Sequence, residues 1–369
     1  MTAPTAPAAP TAPTAPARPL DMDELQAFVG KFVGDLSVTH HAVTVVLGDR
    51  LGLYRALDRV GPATAAQVAD EAGCDERYVQ EWLNAQVAAD YCGYDAGSGL
   101  YQLSPAQAAC LADDSAPTYL AAGMYLAGSL FKSEEQLGQA YRTGAGFGWG
   151  DHHHDLFHGV ERFFRPGYAA NLVSAWIPAL DGVHEKLEAG ISVADVGCGH
   201  GSSTIILAAA YPNSTVVGFD PHAPSIAAAR KAAAEAGLGD RVRFEVASAQ
   251  DFDGRGYGLV TVFDALHDMG DPVGAARHIR EALAPDGTWL LVEPMAGESL
   301  DDNRNPIGRL FYSASSMICT PNARSQSGGY ALGAQASQES LQAVVEEAGF
   351  TRFRRATETP VNRVLEIRP

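Results

Sequence analysis

Three short stretches carry residue types whose spacing could do chemistry. In Asp195-Val-Gly-Cys-Gly-His-Gly201, three glycines stand on alternate positions between the apolar run Ile191–Val196 and the Ala-, Ile- and Leu-rich run Ser202–Tyr211. That order predicts a strand, a tight turn and a helix. Side chains in such a turn would block both the bend and the approach of a ligand to main-chain N–H groups at the helix start. The next apolar run, Thr215–Asp220, ends on a carboxylate about twenty positions on, where it can accept both hydroxyls of a ribose. The third stretch, Phe263-Asp-Ala-Leu-His-Asp-Met-Gly-Asp-Pro272, ends a strand and delivers His267 and Asp268 to the carboxyl edge of a sheet, where open α/β folds bind ligands. Histidine titrates near neutrality and can take a proton from a phenol or similar nucleophile. A nucleoside-bearing cofactor beside a candidate base is the chemistry these residues imply.

The elements that must position them alternate. Strands are expected at Ile191–Val196, Thr215–Asp220, Val242–Val246, Leu259–Asp264 and Thr288–Glu293, with helices at Ser202–Tyr211, Ser225–Ala236 and Val273–Leu283. Such alternation builds a parallel sheet. Two last runs, Phe350–Thr357 and Val361–Ile367, are separated by Thr359-Pro360, a link short enough to make them antiparallel. A dinucleotide site would want Gly-x-Gly-x-x-Gly, but Ser202 stands where its third glycine belongs, which weakens that reading. Residues 294–336 interrupt the alternation with a long, partly apolar segment expected to form an ordered cover over the pocket.

Ahead of this α/β region lie several other units. Residues 1–19 are a Thr/Ala/Pro tract with nothing to build a core, expected to be a disordered tail. From residue 20 to about 57 apolar residues recur at helical spacing; a helix, a Gly73-centred turn, a helix and a Tyr-containing hairpin around Gly97-Ser-Gly99 then spell a winged helix, so residues 20–110 are read as one domain. As a DNA reader its second helix would present basic or amide side chains, yet Asp75–Glu81 carries three acids against Arg77. Packing against a second subunit is the better reading. Residues 111–189 are read as a helical linker and active-site cover, with Phe163–Tyr168 expected at the start of the helix entering the catalytic domain of residues 190–369. Within it, His152, His153, His154 and His158 invite a metal, since His154 and His158 share a helical face, but lining a cleft or capping a helix explains the run as well, and no metal is assigned.

Composition narrows the partners. A net charge of −18 argues against nucleic acid and anionic membrane, and no long apolar stretch or basic-then-apolar leader appears, so a soluble, cytoplasmic protein is expected. The five cysteines are scattered and read as buried small residues without disulfide or metal roles.

The glycine turn, the acid at Asp220 and the ordered series of strands resemble class I S-adenosylmethionine-dependent methyltransferases. With the winged helix and a Leu266-His-Asp-Met269 segment similar to Leu-His-Asp-Trp, the chain resembles plant-type small-molecule O-methyltransferases, and in particular a bacterial branch with an N-terminal winged helix. The resemblance implies a seven-stranded Rossmann-like sheet with an antiparallel last strand, S-adenosylmethionine as cofactor, a small-molecule acceptor and a homodimer formed through the N-terminal domain. It implies His267 as general base, Glu293 orienting it and Asp268 beside it. For the cofactor it implies Gly197, Gly199 and Gly201 under the methionine and ribose, Asp195 at the amino group and Asp220 at the ribose. It further implies Ala249 and Gln250 at the adenine, and Phe263, Asp264 and an approaching aromatic, Tyr168, at the methionyl arm. A second supporting acid of that family is missing, Gln335 lying in its stretch. Oxygen is the expected acceptor; an N- or C-methyltransferase, a regulator sensing S-adenosylmethionine through its winged helix, and a nicotinamide oxidoreductase are the alternatives.

Overall fold

A computed structural model describes residues 19–369; the tract before them, including all but the last residue of the expected tail, lies outside the described residues. The chain begins with α1 (Met22–Arg50), whose first turn is capped by the Asp21 carboxylate, and α2 (Leu53–Val60). The expected helix-turn-helix follows as α3 (Ala65–Ala72) and α4 (Glu76–Ala88). Thr64 and Gln67 form a reciprocal capping box on α3, Gly73 stops it at a positive φ, and Asp75 caps α4. Each cap satisfies N–H groups that the first turn of a helix leaves free. The wing is a hairpin of β1 (Gly93–Asp95) and β2 (Leu100–Gln102), and Tyr101 also bridges back to Ala63. Arg77, the one base on the exposed start of α4, is paired with Glu81 at 2.6 Å, so the helix offers little to a phosphate backbone.

α5 (Pro105–Leu111) closes the winged-helix region, and the linker supplies α6 (Gly123–Lys132), α7 (Glu134–Thr143) and α8 (Asp155–Asn171), then α9 (Val183–Ala189). The Phe163–Tyr168 run does not open a helix, as expected, but lies in the second half of α8, which starts at Asp155 and carries Pro166 inside it. The proline lacks the N–H of one i→i−4 bond. The helix nonetheless continues past it, packed against α6 and α10, and a π turn at Leu172–Trp176 extends it toward the sheet.

The sheet comprises β3 (Ser192–Val196), β4 (Thr215–Asp220), β5 (Val242–Val246), β6 (Tyr257–Phe263), β7 (Leu283–Pro294), β8 (Arg352–Glu358) and β9 (Asn362–Arg368), in the order β5-β4-β3-β6-β7-β9-β8. The first five are parallel; β9 runs antiparallel between β7 and β8. Between them lie α10 (Ser202–Ala210), α11 (Ala223–Glu235), α12 (Pro272–Ala282), α13 (Pro306–Ala314), α14 (Thr320–Ser325) and α15 (Gln338–Glu347). Strand β7 is longer than the sequence suggests, starting at Leu283, which pairs with Tyr257. Conversely β6 stops at Phe263, because Asp264 takes a left-handed φ of +49°. Both faces of the sheet's central strands are buried, by α10, α11 and the α9 region on one side and by α12 and α15 on the other, so β3, β4, β6 and the second half of β7 read as largely apolar runs. The interrupting segment is ordered: α13, a π turn at Ser315–Cys319 and α14 form one bent helix. Among the described residues no helix is long and apolar enough to cross a membrane.

Candidate active site

After β3 the backbone turns through Gly197, Gly199 and Gly201 at φ values of +76°, +52° and +82°. An L side chain in this region costs about 1–2 kcal/mol, which accounts for the residue type. The three glycines have different surroundings. A Cβ on Gly199 would meet nothing within 4 Å, whereas one on Gly201 would lie 2.7 Å from the Phe244 ring and 2.9 Å from Ala229. Gly199 therefore faces open space, and Gly201 lets α10 start close against β5 and α11. Asp220, at the end of β4, accepts the Gly199 N–H at 3.0 Å and the His222 N–H at 2.8 Å. Burial raises its pKa, and the two bonds hold the carboxylate at the rim of the turn. Asp195 is placed differently. It is wholly buried and accepts from Ser203 (2.7 Å), Thr204 (2.5 Å) and Thr261 (2.8 Å), clamping the turn to α10 and β6 without lining the cavity.

A cavity of about 370 Å³ opens over this turn. Of the residues singled out from the sequence, Tyr168, Gly197, Gly199, Asp220, Ala249, Gln250, Phe263, Asp264 and Asp268 line it; Asp195, Gly201, His267 and Glu293 do not. The Tyr168 hydroxyl donates to Asp264 Oδ2 at 3.2 Å and its ring lies 5.2 Å from that of Phe263. Asn362 donates to the other Asp264 oxygen at 2.8 Å. Burial and the nearby Glu293 charge push the Asp264 carboxyl up to about 7. Sequence reasoning missed the opposite wall. Phe157, Val160 and Phe164 on α8 precede Tyr168 at helical spacing and face the cavity, and Asn322 of α14 and Gln326 just after it close it. The three-and-four spacing of the α8 residues was a readable signal, masked by the histidines and Pro166 among them.

At the end away from Asp220, His267 sits in a single 3-10 turn after β6, 4% exposed. Its Nδ1 lies 2.5 Å from Glu293 Oε2, and the other Glu293 oxygen accepts the Leu266 N–H at 3.0 Å. Its Nε2 lies 3.2 Å from Asp268 Oδ1. Burial disfavours the charged imidazole, but the carboxylates of Glu293 and Asp268 outweigh it and hold its pKa well above the ordinary value. Asn322 and Gln326 donate to the Asp268 carbonyl at 3.2 and 3.0 Å, tying this turn to α14. Gln335 donates to the Met295 carbonyl instead of approaching His267 as an acid would.

The histidine run falls elsewhere. His154 is the N-cap position of α8, and His152 is buried beside Phe147 with burial lowering its pKa to about 4. Asp155, the acid beside His153 and His154, is engaged by Lys132 at 2.6 Å and Arg50 at 3.5 Å. On the same side of α8, Arg162 makes two bonds to the buried Asp49 of α1, at 2.6 and 3.0 Å, and Tyr119 and Tyr125 add two more at 2.5 and 2.8 Å.

Residues 39–113 match the family model described as Rv2258c-like winged HTH domain, and residues 194–289 match the one described as methyltransferase domain. Among solved structures the chain is similar to the mitomycin 7-O-methyltransferase MmcR, at 20% identity and a TM-score of 0.66, covering 94% of this chain and 100% of that one. It is also similar to human N-acetylserotonin methyltransferase in complex with SAM, at 17% identity and a TM-score of 0.66, covering 95% and 98%. A third, the O-methyltransferase NcsB1 from neocarzinostatin biosynthesis, was solved with S-adenosylmethionine and 2-hydroxy-5-methyl naphthoic acid; it shows 20% identity and a TM-score of 0.56, covering 89% and 95%. A search for sequence relatives among curated proteins gave no match.

Proposed function

We propose that this chain, which joins a winged HTH domain to a methyltransferase domain, transfers a methyl group from S-adenosylmethionine to a hydroxyl of a small organic molecule. The observation that carries the reading is one cavity with two unlike ends. The open glycine turn and Asp220 are at one end, Asp268 backed by His267 and Glu293 at the other, and aromatic walls lie between.

The residues present fit this cofactor. Gly199 leaves room for it against the backbone, Gly197 lines the cavity beside it, Asp220 offers a carboxylate to ribose hydroxyls, and Ala249 and Gln250 flank the adenine side. Asp264, Phe263 and Tyr168 stand where a cationic methionyl arm gains from a carboxylate and ring faces. Asp195 serves from behind, by fixing the turn rather than by contact. When bound, the cofactor supplies an electrophilic sulfonium methyl. The protein's task is to align the acceptor, exclude water and remove one proton. Glu293 fixes the His267 ring, and Asp268 connects it to the cavity. The aromatic lining and the volume favour a flat, small acceptor such as a phenol. A homodimer through the N-terminal domain is part of the proposal, supported by Phe28, Val29, Phe32 and Val33 of α1, each at least half exposed.

The test is a thermal-shift comparison of S-adenosylmethionine, S-adenosylhomocysteine and NAD, then a phenol panel read by S-adenosylhomocysteine release. Stabilisation by NAD alone sinks the proposal. His267→Gln is expected to keep cofactor affinity and lower turnover by about 10²–10⁴-fold.

A further inference from the structure

One buried cation behind the acceptor end has no task in the methyl-transfer scheme. Arg363 of β9 is 0% exposed and stands directly opposite Glu293 of β7 in the antiparallel register. Residues paired in this way point to the same face of a sheet, with Cβ atoms about 4.5–5.5 Å apart. Glu293, itself 1% exposed, is the carboxylate that holds His267 Nδ1. Cation, carboxylate and imidazole therefore adjoin in one buried group.

The guanidinium is fixed without being neutralised. Its Nε donates to the Pro294 carbonyl at 3.0 Å and its Nη2 to the Ala336 carbonyl at 2.8 Å, both uncharged acceptors. Its Nη1 is buried and makes no hydrogen bond among the described residues. The neighbouring Gln335 is a neutral amide spent on the Met295 and Ala334 carbonyls. A charge buried this deeply needs a counter-charge. Burial draws the Arg363 pKa down, and Glu293 is the largest of the charges that draw it back up.

We propose that Arg363 is a positioning residue for the methyl transfer: held by two carbonyls, it balances Glu293 and so limits how tightly His267 keeps its proton, leaving Nε2 available as the base. The groups facing His267 are otherwise acidic: Glu293 of β7, Asp268 of its own turn, Asp264 just past β6 with Tyr168 of α8 bonded to it, and the Cys319 thiol of the π turn. Each carboxylate among them favours a charged imidazole, and a histidine that stays charged cannot accept a proton. Arg363 supplies the opposing charge. It does not line the cavity, so it acts through Glu293 and not on the acceptor. The inference rests on reading His267 as the base.

The test follows the imidazole itself. In the full chain labelled with ¹⁵N-histidine, the His267 signal is identified by its loss in His267→Gln and titrated by NMR. Arg363→Gln is expected to move that titration to higher pH. With an accepted phenol it is expected to lower turnover about tenfold at pH 7 and to spare it toward pH 9. Arg363→Lys, which keeps the cation, restores both. Arg352→Met, which removes an exposed charge from the sheet edge, changes neither. Stabilisation by S-adenosylmethionine is the folding control for every variant. An unmoved His267 titration in an Arg363→Gln chain that the cofactor stabilises overturns the proposal, as does a loss of turnover that is equal at pH 7 and pH 9. Where Arg363→Gln fails the folding control, Arg363→Lys decides: a titration displaced to higher pH with the cation retained overturns it. The titration needs no acceptor, so a phenol panel without turnover counts against the methyltransferase reading and is told apart from a failure of Arg363.

Discussion

At the scale of single residues, the most informative feature is Asp264. It lies just past the end of β6 in a left-handed conformation, with both carboxylate oxygens bonded and its pKa pushed up to about 7. A carboxyl raised above its unfolded value binds its proton more tightly when folded, so it destabilises the protein in full above about 7, and that penalty fades as pH falls from about 7 toward the unfolded value near 4. His267 acts in the same direction: its contribution is fully present below the unfolded value of about 6.5 and fades as pH rises toward its raised folded value. The melting temperature is therefore expected to fall from about pH 5 to pH 9, the part below about pH 7 carried by Asp264, and Asp264→Asn to flatten that lower part. A steeper slope in the variant contradicts the assignment. Asp264 was legible in the sequence as a pocket residue because it follows a strand. Its left-handed backbone was not, since nothing in Phe263-Asp-Ala says that Asn362, about a hundred positions on, will hold it there. Cys319 is buried, as the sequence suggested, but its place beside His267 and Asp268, some fifty residues away in the chain, was not readable for the same reason.

At the scale of elements, the glycine turn separates ligand room from packing. Gly199→Ala places a methyl in open space and is expected to weaken S-adenosylmethionine binding, read by calorimetry, with about 1–2 kcal/mol lost to the positive φ. Gly201→Ala drives a methyl into Phe244 and Ala229 and adds overpacking of about 1–3 kcal/mol, so it is expected to lower the denaturation midpoint more. Equal losses of stability would refute the distinction. The sequence marked both as ligand glycines because spacing records the turn and not what lies behind each Cα. The strands and the helices between them were readable from their apolar runs, which a sheet covered on both faces enforces. Helix α8 was not, because Pro166 and the histidines broke the pattern that tertiary contacts restore.

At the scale of the whole molecule, two features join what the sequence divides. Asp49 of α1 binds Arg162 of α8 through both guanidinium nitrogens, and its carboxyl, despite burial, is held down at about 2 by Arg162, Tyr119 and Tyr125. A depressed carboxyl stabilises the fold above its unfolded value and loses that contribution as pH falls from about 4 toward 2. Asp49→Ala leaves Arg162 buried and unpaired, with an expected cost of about 3–5 kcal/mol in chemical denaturation. The second feature is the exposed face of α1. Phe28→Glu with Phe32→Glu is expected to convert a dimer to a monomer in light scattering; a wild-type monomer rejects the dimer. With −18 net charge and Arg77 already paired, no salt-sensitive duplex binding is expected.

Helix α8 is occupied on two sides at once. Phe157, Phe164 and Tyr168 form a wall of the cavity, while Arg162 is pinned to the N-terminal domain. A change of bulk on that wall displaces a helix that is also a brace between domains. Divergence toward new acceptors along this wall is thereby tied to the strength of the join.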